Sequence, residues 1–161
     1  MAKPLDAKTL GRILDEHSRP LRLYASQWSR TPEDCVQEAF VALASQIPPP
    51  ENEVAWLYRV VRNRAINELR ANQRRAEREK IAARHFMTES QNQIELEESQ
   101  AQLMKTLDGL KPEDRELIVL RIWSGLTWAE IGELTGASSS SAQRNYVSAL
   151  KLLKKRLEQN V

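Results

Sequence analysis

Asn63, Asn67, Arg70 and Arg74 recur at spacings of four, three and four, which puts two amides and two guanidinium groups on one helix face. Arg59 and Arg62 stand close by in the run VAWLYRVVRNRAINELRANQRR, and Trp56 and Tyr58 near its start add flat apolar surface. Such a mixture suits single-stranded nucleic acid. Bases stack on rings, phosphates are neutralised by arginine, and amides reach exposed base edges. The blander reading, with both aromatics in a core and the arginines only solvating a helix, stays open at this point.

A second polar pattern lies upstream, in EDCVQEAFVAL (33–43). Val36, Phe40 and Leu43 recur at helical spacing and point to a core, while Asp34, Gln37 and Glu38 share another face. A solvent face is commonly a mixture of Lys and Glu. This one is unmixed, which marks it as a candidate docking surface for a partner. Cys35 sits on the same helix near its apolar flank and reads as a packed, inert thiol.

The third pattern is LTWAEIGELTG followed by SSSSAQRNYVSALKLLKKRLEQ. A short helix, a glycine turn and a longer helix with a polar start are the signature of a helix-turn-helix. Gly132 falls where a small residue lets the two helices approach, and Ile131 and Ala142 where they touch. Ser139, Ser140, Ser141, Gln143 and Arg144, with Ser148 one turn further, are then placed to reach base edges. Lys151, Lys154, Lys155 and Arg156 suit phosphates or solvent.

No catalytic constellation accompanies these patterns. There is no plausible Ser/His/Asp arrangement and no phosphate-cradling glycine loop. One cysteine, and two histidines far apart (His17 and His85), argue against a disulfide framework or a zinc site. No metal, cofactor or enzymatic activity is expected. Nothing approaches the roughly 18 apolar residues that span a membrane, and the charged N-terminus is unlike a secretory signal. A reducing cytoplasm is the expected compartment.

The net charge of +2 hides strong local asymmetry. Residues 56–85 carry nine basic against three acidic side chains, residues 86–116 carry three against eight, and residues 138–161 carry five against one. Two basic blocks separated by an acidic one suggest two nucleic-acid-facing surfaces on one chain.

The elements that must position these groups are helical throughout. The first half reads as helices over about Ala7–Glu16 and Pro20–Trp28, and a third from Pro32, with Thr31 as N-cap, that ends before Ile47-Pro48-Pro49-Pro50. A long helix follows from about Glu53 to Arg78 or beyond. MTESQNQIELEESQ is polar and acidic and reads as a linker, with Leu96, Leu103, Met104 and Leu107 re-entering a helix before Asp108-Gly109. Then PEDRELIVLRIWSG reads as one helix closed by Gly125. Thr127 and Glu130 form a capping box, Gly136 closes the short helix, and Ser138 caps the last. The expected fold is all-α: two small helical domains (1–85 and 103–161) joined by a polar acidic linker (86–102), the second a helix-turn-helix domain.

In this order the motifs resemble the extracytoplasmic-function (ECF) group of bacterial sigma factors. TPEDCVQEAFVAL is similar to that family's polymerase-binding helix, usually D-A-E-D-L-x-Q-E-x-F, and AWLYRVVRNRAINELR to the helix that melts and reads the −10 element. LKPEDRELIVLRIWSGLTWAEIGELTGASSSSAQRNYVSALKLLKKRL is similar to the domain that binds the −35 element. The resemblance implies that Asp34, Gln37 and Glu38 dock on the coiled coil of the polymerase's largest subunit. It implies −10 contacts from Asn63, Arg64, Asn67 and Arg70, to which Trp56, Arg59, Arg62 and Arg74 are added. The −35 set is Thr127, Ser139, Ser140, Ser141, Gln143, Arg144, Ser148 and Lys151. Departures fall at Cys35 and Val36, where larger aliphatics are common, at Asn67, where Asp is common, and at Asn145 and Ser148, where arginines are typical.

The implied partners are bacterial core RNA polymerase and promoter DNA, duplex at −35 and single-stranded at −10, with an anti-sigma factor as a further regulatory partner and no membrane insertion. The linker would thread near the polymerase's active-site and RNA-exit channel. Two alternatives carry weight: a helix-turn-helix regulator that acts on duplex DNA without polymerase, and a sigma-like polymerase-binding module with weak DNA recognition.

Overall fold

The computed structural model describes residues 1–82, 102 and 105–159, which fall into two compact units, Met1–Ile94 and Glu95–Val161. Both are all-α, with no strand among the described residues. Of the expected linker only residue 102 lies within them.

The first unit holds α1 (Ala7–Ala25), α2 (Pro32–Ala44) and α3 (Glu53–Ala82), and each packs on the other two. One expectation fails at once: α1 runs straight through Pro20 instead of breaking into two helices. A proline inside a helix costs a hydrogen bond and crowds the preceding turn. The turn that follows it buries Leu21, Leu23, Tyr24 and Ala25 completely. Burying a large apolar side chain is worth about 1.5–3 kcal/mol, so several of them outweigh the proline penalty of roughly 3 kcal/mol. Tertiary burial decides the matter, and α1 ends at Ala25, three residues short of Trp28.

α2 starts as expected at Pro32, with acidic Glu33 and Asp34 in its first turn, but Thr31 does not cap it with its side chain. The Thr31 hydroxyl instead donates to the Glu68 carboxylate of α3 at 3.3 Å. Val36, Phe40 and Leu43 are buried as their spacing requires. From α3, Leu57, Tyr58, Val61 and Ala65 close the core, and the Tyr58 ring lies 5.2 Å from that of Tyr24. Tyr58 is therefore a core residue, and its flat surface is not offered to nucleic acid.

Among its described residues the second unit holds a helical turn at 105–107, then α4 (Pro112–Val119), α5 (Trp128–Thr135) and α6 (Ser139–Gln159). The run expected as one helix to Gly125 changes pitch: Leu120–Ser124 winds as a π-helix before Gly125 turns left-handed at φ 72°. Within it the Ser124 hydroxyl donates to the Leu120 carbonyl and accepts from the Leu126 N–H at 3.1 Å. Leu107, Ile118, Leu120, Ile131, Ala142 and Ala149 make the core.

Candidate nucleic-acid and polymerase interface

Two local devices fix the angle between α5 and α6. The capping box forms as read: the Glu130 N–H donates to Thr127 Oγ1 at 3.2 Å, and the Thr127 N–H to Glu130 Oε1 at 2.9 Å. At the far end Gly136 adopts φ 77°, and the Ala137 N–H returns to the Gly132 carbonyl at 2.8 Å. A Cβ on Gly132 would lie 2.6 Å from the Ala137 carbonyl oxygen, so only glycine allows this approach. Ile131 and Ala142, expected to touch there, are both fully buried. On the outside Trp128 and Tyr146 lie ring to ring at 5.2 Å, and the Arg121 guanidinium stacks 4.6 Å above Trp128.

The start of α6 is organised by serine. Ser138 Oγ accepts from the Ser141 N–H at 3.1 Å and donates to Ser141 Oγ at 2.9 Å, while Arg144 Nη2 donates to Ser141 Oγ at 3.2 Å. Ser141, expected to reach a base, is half-buried and is occupied in holding the helix start. Thr127, expected at DNA, has its hydroxyl engaged as the α5 cap. Ser139, Ser140, Gln143, Arg144, Ser148 and Lys151 are exposed. A shallow hollow of about 520 Å³ on this face is lined by Ser140, Gln143, Arg144, Val147 and Ser148. Val147 was not among the expected residues because it offers no hydrogen bond. Arg156 turns aside: its guanidinium occupies the space a side chain on Gly109 would fill.

In the first unit, Arg59, Asn63, Asn67, Arg70 and Arg74 are exposed along one ribbon of α3, with Trp56 half-buried at its head. Arg62 is half-buried and lies 5.8 Å from the Trp28 ring centre, so it serves as a packing cation within the first unit. Arg64 leaves the ribbon toward α2, where Nη1 donates to Glu38 Oε2 at 2.8 Å. The expected DNA-reading and polymerase-docking residues thus meet in one ion pair.

Asp34, Gln37 and Glu38 are all exposed on α2. Beside them runs an open groove of about 530 Å³ between α1 and α2, lined by Leu14, Val36, Gln37, Phe40 and Val41 among others. Val41 is 63% exposed and Leu14 44%. The acidic stripe therefore borders an apolar floor, which sequence reasoning missed because α1 and α2 are brought together only by the fold.

Glu68 is the other residue missed. Its carboxylate accepts from the Ser29 hydroxyl, from the Arg30 N–H at 3.2 Å, from Thr31 and from the Cys35 thiol at 3.6 Å, tying the α1–α2 connection to α3. Burial first, and Glu68 with it, push the Cys35 thiol above its ordinary range against the lowering effect of its hydrogen bond to Ser29, so it stays protonated. Burial also lowers the pKa of His17, more than neighbouring Glu16 raises it. No group of three or more His, Cys, Asp or Glu side chains gathers as a metal site among the described residues, and none of their helices is long and apolar enough to cross a membrane.

Comparison with known proteins follows the same two-unit division. Residues 13–75 match the family model for sigma-70 region 2, and residues 100–153 match that for sigma-70 region 4, so together they cover most of the chain. No curated protein matches. Two solved structures share the fold. CnrH, in complex with the cytosolic domain of CnrY, aligns with TM-score 0.63 and 24% identity over 97% of this chain and 92% of its own. The sigma factor RpoE of Bartonella quintana, in complex with the anti-sigma factor NepR, aligns with TM-score 0.69 and 21% identity over 94% and 98%.

Proposed function

The chain belongs to the sigma-70 family, as a member of its ECF group, and from that membership we propose how its exposed faces divide the work of starting transcription. It binds core RNA polymerase and recognises promoter DNA. In our reading Asp34, Gln37 and Glu38, with the apolar groove beside them, dock on the coiled coil of the polymerase's largest subunit. The Arg59–Arg74 ribbon of α3 then holds unpaired −10 bases. Melting becomes favourable because bases leaving the duplex gain stacking and hydrogen bonds, while arginines take up the phosphate charge. α6 enters the major groove of the −35 element, with Gln143 and Arg144 at base edges and Lys151 near the backbone.

The observation that carries this reading is the arrangement in the first unit, where the acidic face of α2 and the Asn/Arg face of α3 are both exposed and are linked by Glu38 and Arg64. The protein acts as a specificity subunit in the cytoplasm and performs no reaction of its own. Residues 86–102 tether the promoter-reading domains 1–85 and 103–161. Both solved relatives were captured with a bound partner, one of them an anti-sigma factor, and this chain is proposed to be restrained by an anti-sigma factor too.

A second reading is favoured by one observation. Asn145 and Ser148 stand where the family commonly has arginine, and Ser141 is internally occupied, which suits a polymerase-binding module with weak DNA recognition. One experiment separates the readings: purified protein is added to core polymerase, and promoter-specific transcription and open-complex formation are measured. Specific initiation supports the sigma-factor reading. Tight polymerase binding without initiation supports the weak-recognition module, and duplex binding without polymerase supports a conventional helix-turn-helix regulator.

A further inference from the structure

Val147 is 45% exposed in the middle of the outward face of α6. Its neighbours there, at helical spacings of seven, four, three and four residues, are Ser140, Gln143, Arg144 and Lys151, all of them polar. Ala142, Ala149 and Leu153, the buried residues of the helix, take a different face. Val147 also lines the hollow that Ser140, Gln143, Arg144 and Ser148 complete. A lone exposed valine is ordinary on a protein surface. One flanked by hydrogen-bonding side chains, on the face that enters a major groove, has a specific use.

The major groove presents donors and acceptors on every base pair but a single kind of apolar group, the C5-methyl of thymine. We propose that Val147 reads a thymine methyl in the −35 element, beside the base pair addressed by Gln143 and Arg144. The inference rests on the reading of α6 as the −35-binding helix. The four residues from Gln143 to Val147 span about 6 Å along the helix, which corresponds to one or two base-pair steps at roughly 3.4 Å each. Valine suits the task because branching at Cβ holds it in one helical rotamer, so little side-chain freedom is lost on contact.

Holoenzyme assembled on core polymerase is first used to select promoters from a pool randomised across the −35 element. The wild-type factor should enrich thymine, on either strand, at a position that Val147→Ala leaves unselected. Deoxyuridine is then placed at that thymine, which keeps the base pair and removes only the methyl. This change should weaken open-complex formation by the wild-type factor about fourfold, the worth of one buried methyl group, and cause no further loss with Val147→Ala. A −35 consensus with no thymine dependent on Val147, or uracil and Val147→Ala losses that multiply, would overturn the contact. If the pool yields no −35 preference at all, the parent reading of α6 fails and this inference falls with it. Should Val147→Ala fold poorly by circular dichroism, the uracil substitutions against the wild-type factor decide alone: no weakening at any selected thymine sinks the proposal.

Discussion

The two units carry their functional side chains in opposite ways. In the first, the groups assigned to partners are also structural: Glu38 holds Arg64, Arg62 stacks on Trp28, and the loop leading into α2 hangs on Glu68. In the second, the frame is made by backbone approach at Gly132 and by caps at Thr127 and Ser138, while Gln143, Val147, Ser148 and Lys151 stay exposed. Binding at the first surface must therefore exchange one set of contacts for another. At the second, the Arg144–Ser141 hydrogen bond aside, it adds contacts to a frame already complete.

The largest test of this contrast is charge reversal at the docking stripe. Asp34→Lys with Glu38→Lys should weaken polymerase binding at least about 100-fold, because like charges facing a complementary surface cost several kcal/mol, with helix content by circular dichroism unchanged. Unimpaired binding would remove that face from the assignment.

Next comes the turn of the second unit. Gly132→Val should destabilise that unit by about 1–3 kcal/mol through overpacking against backbone, read as faster amide exchange across 105–159 while the first unit exchanges as before. A variant with native exchange and native −35 binding would show that the close approach does not set the frame.

Glu68→Ala should cost the first unit about 1–3 kcal/mol by stranding the donors of Ser29, Arg30 and Thr31, with the amides of residues 29–35 the first to open. The Glu38–Arg64 pair should contribute less. Its partners are 59% and 43% exposed, so a double-mutant cycle on thermal unfolding should return about 0.2–1 kcal/mol.

The smallest effect is one of pH. Folded His17 resists protonation and titrates below its ordinary 6.5, so the unfolded chain binds more protons just under that value. The stability of the first unit should be full above about pH 6.5 and decline as pH falls toward the lowered folded value. His17→Gln should flatten that decline. The second unit, whose sequence contains no histidine, should not share it, and an equal response there would break the contrast.

The helix-turn-helix was legible because its signals are local: Thr127 with Glu130, two glycines, and serines at a helix start act within a few residues of themselves. The buried face of α2 was legible for the same reason, since periodicity alone places Val36, Phe40 and Leu43. What escaped depends on distance. Pro20 reads as a break until the burial of Leu21 to Ala25 is known, and Tyr58 reads as an exposed ring until Tyr24 is set against it. The Glu38–Arg64 pair joins residues 26 apart, and Glu68 reaches back 39 positions to Ser29. No spacing rule connects such residues. Thr127 and Ser141 were correctly placed at helix starts, yet their side chains had already been used there.

The approach of α5 to α6 at Gly132 has a consequence for descent. Because the angle between the helices is set where main chain meets main chain, with Tyr146 against Trp128 beside it, the remaining outward residues of α6 are spared that task. Ser140, Gln143, Val147 and Ser148 are exposed and can be exchanged one at a time without the fold being re-solved at each step. Substitution is barred by sterics at Gly132 and tolerated across the outward face, so the frame would outlast changes there as the chain diverges.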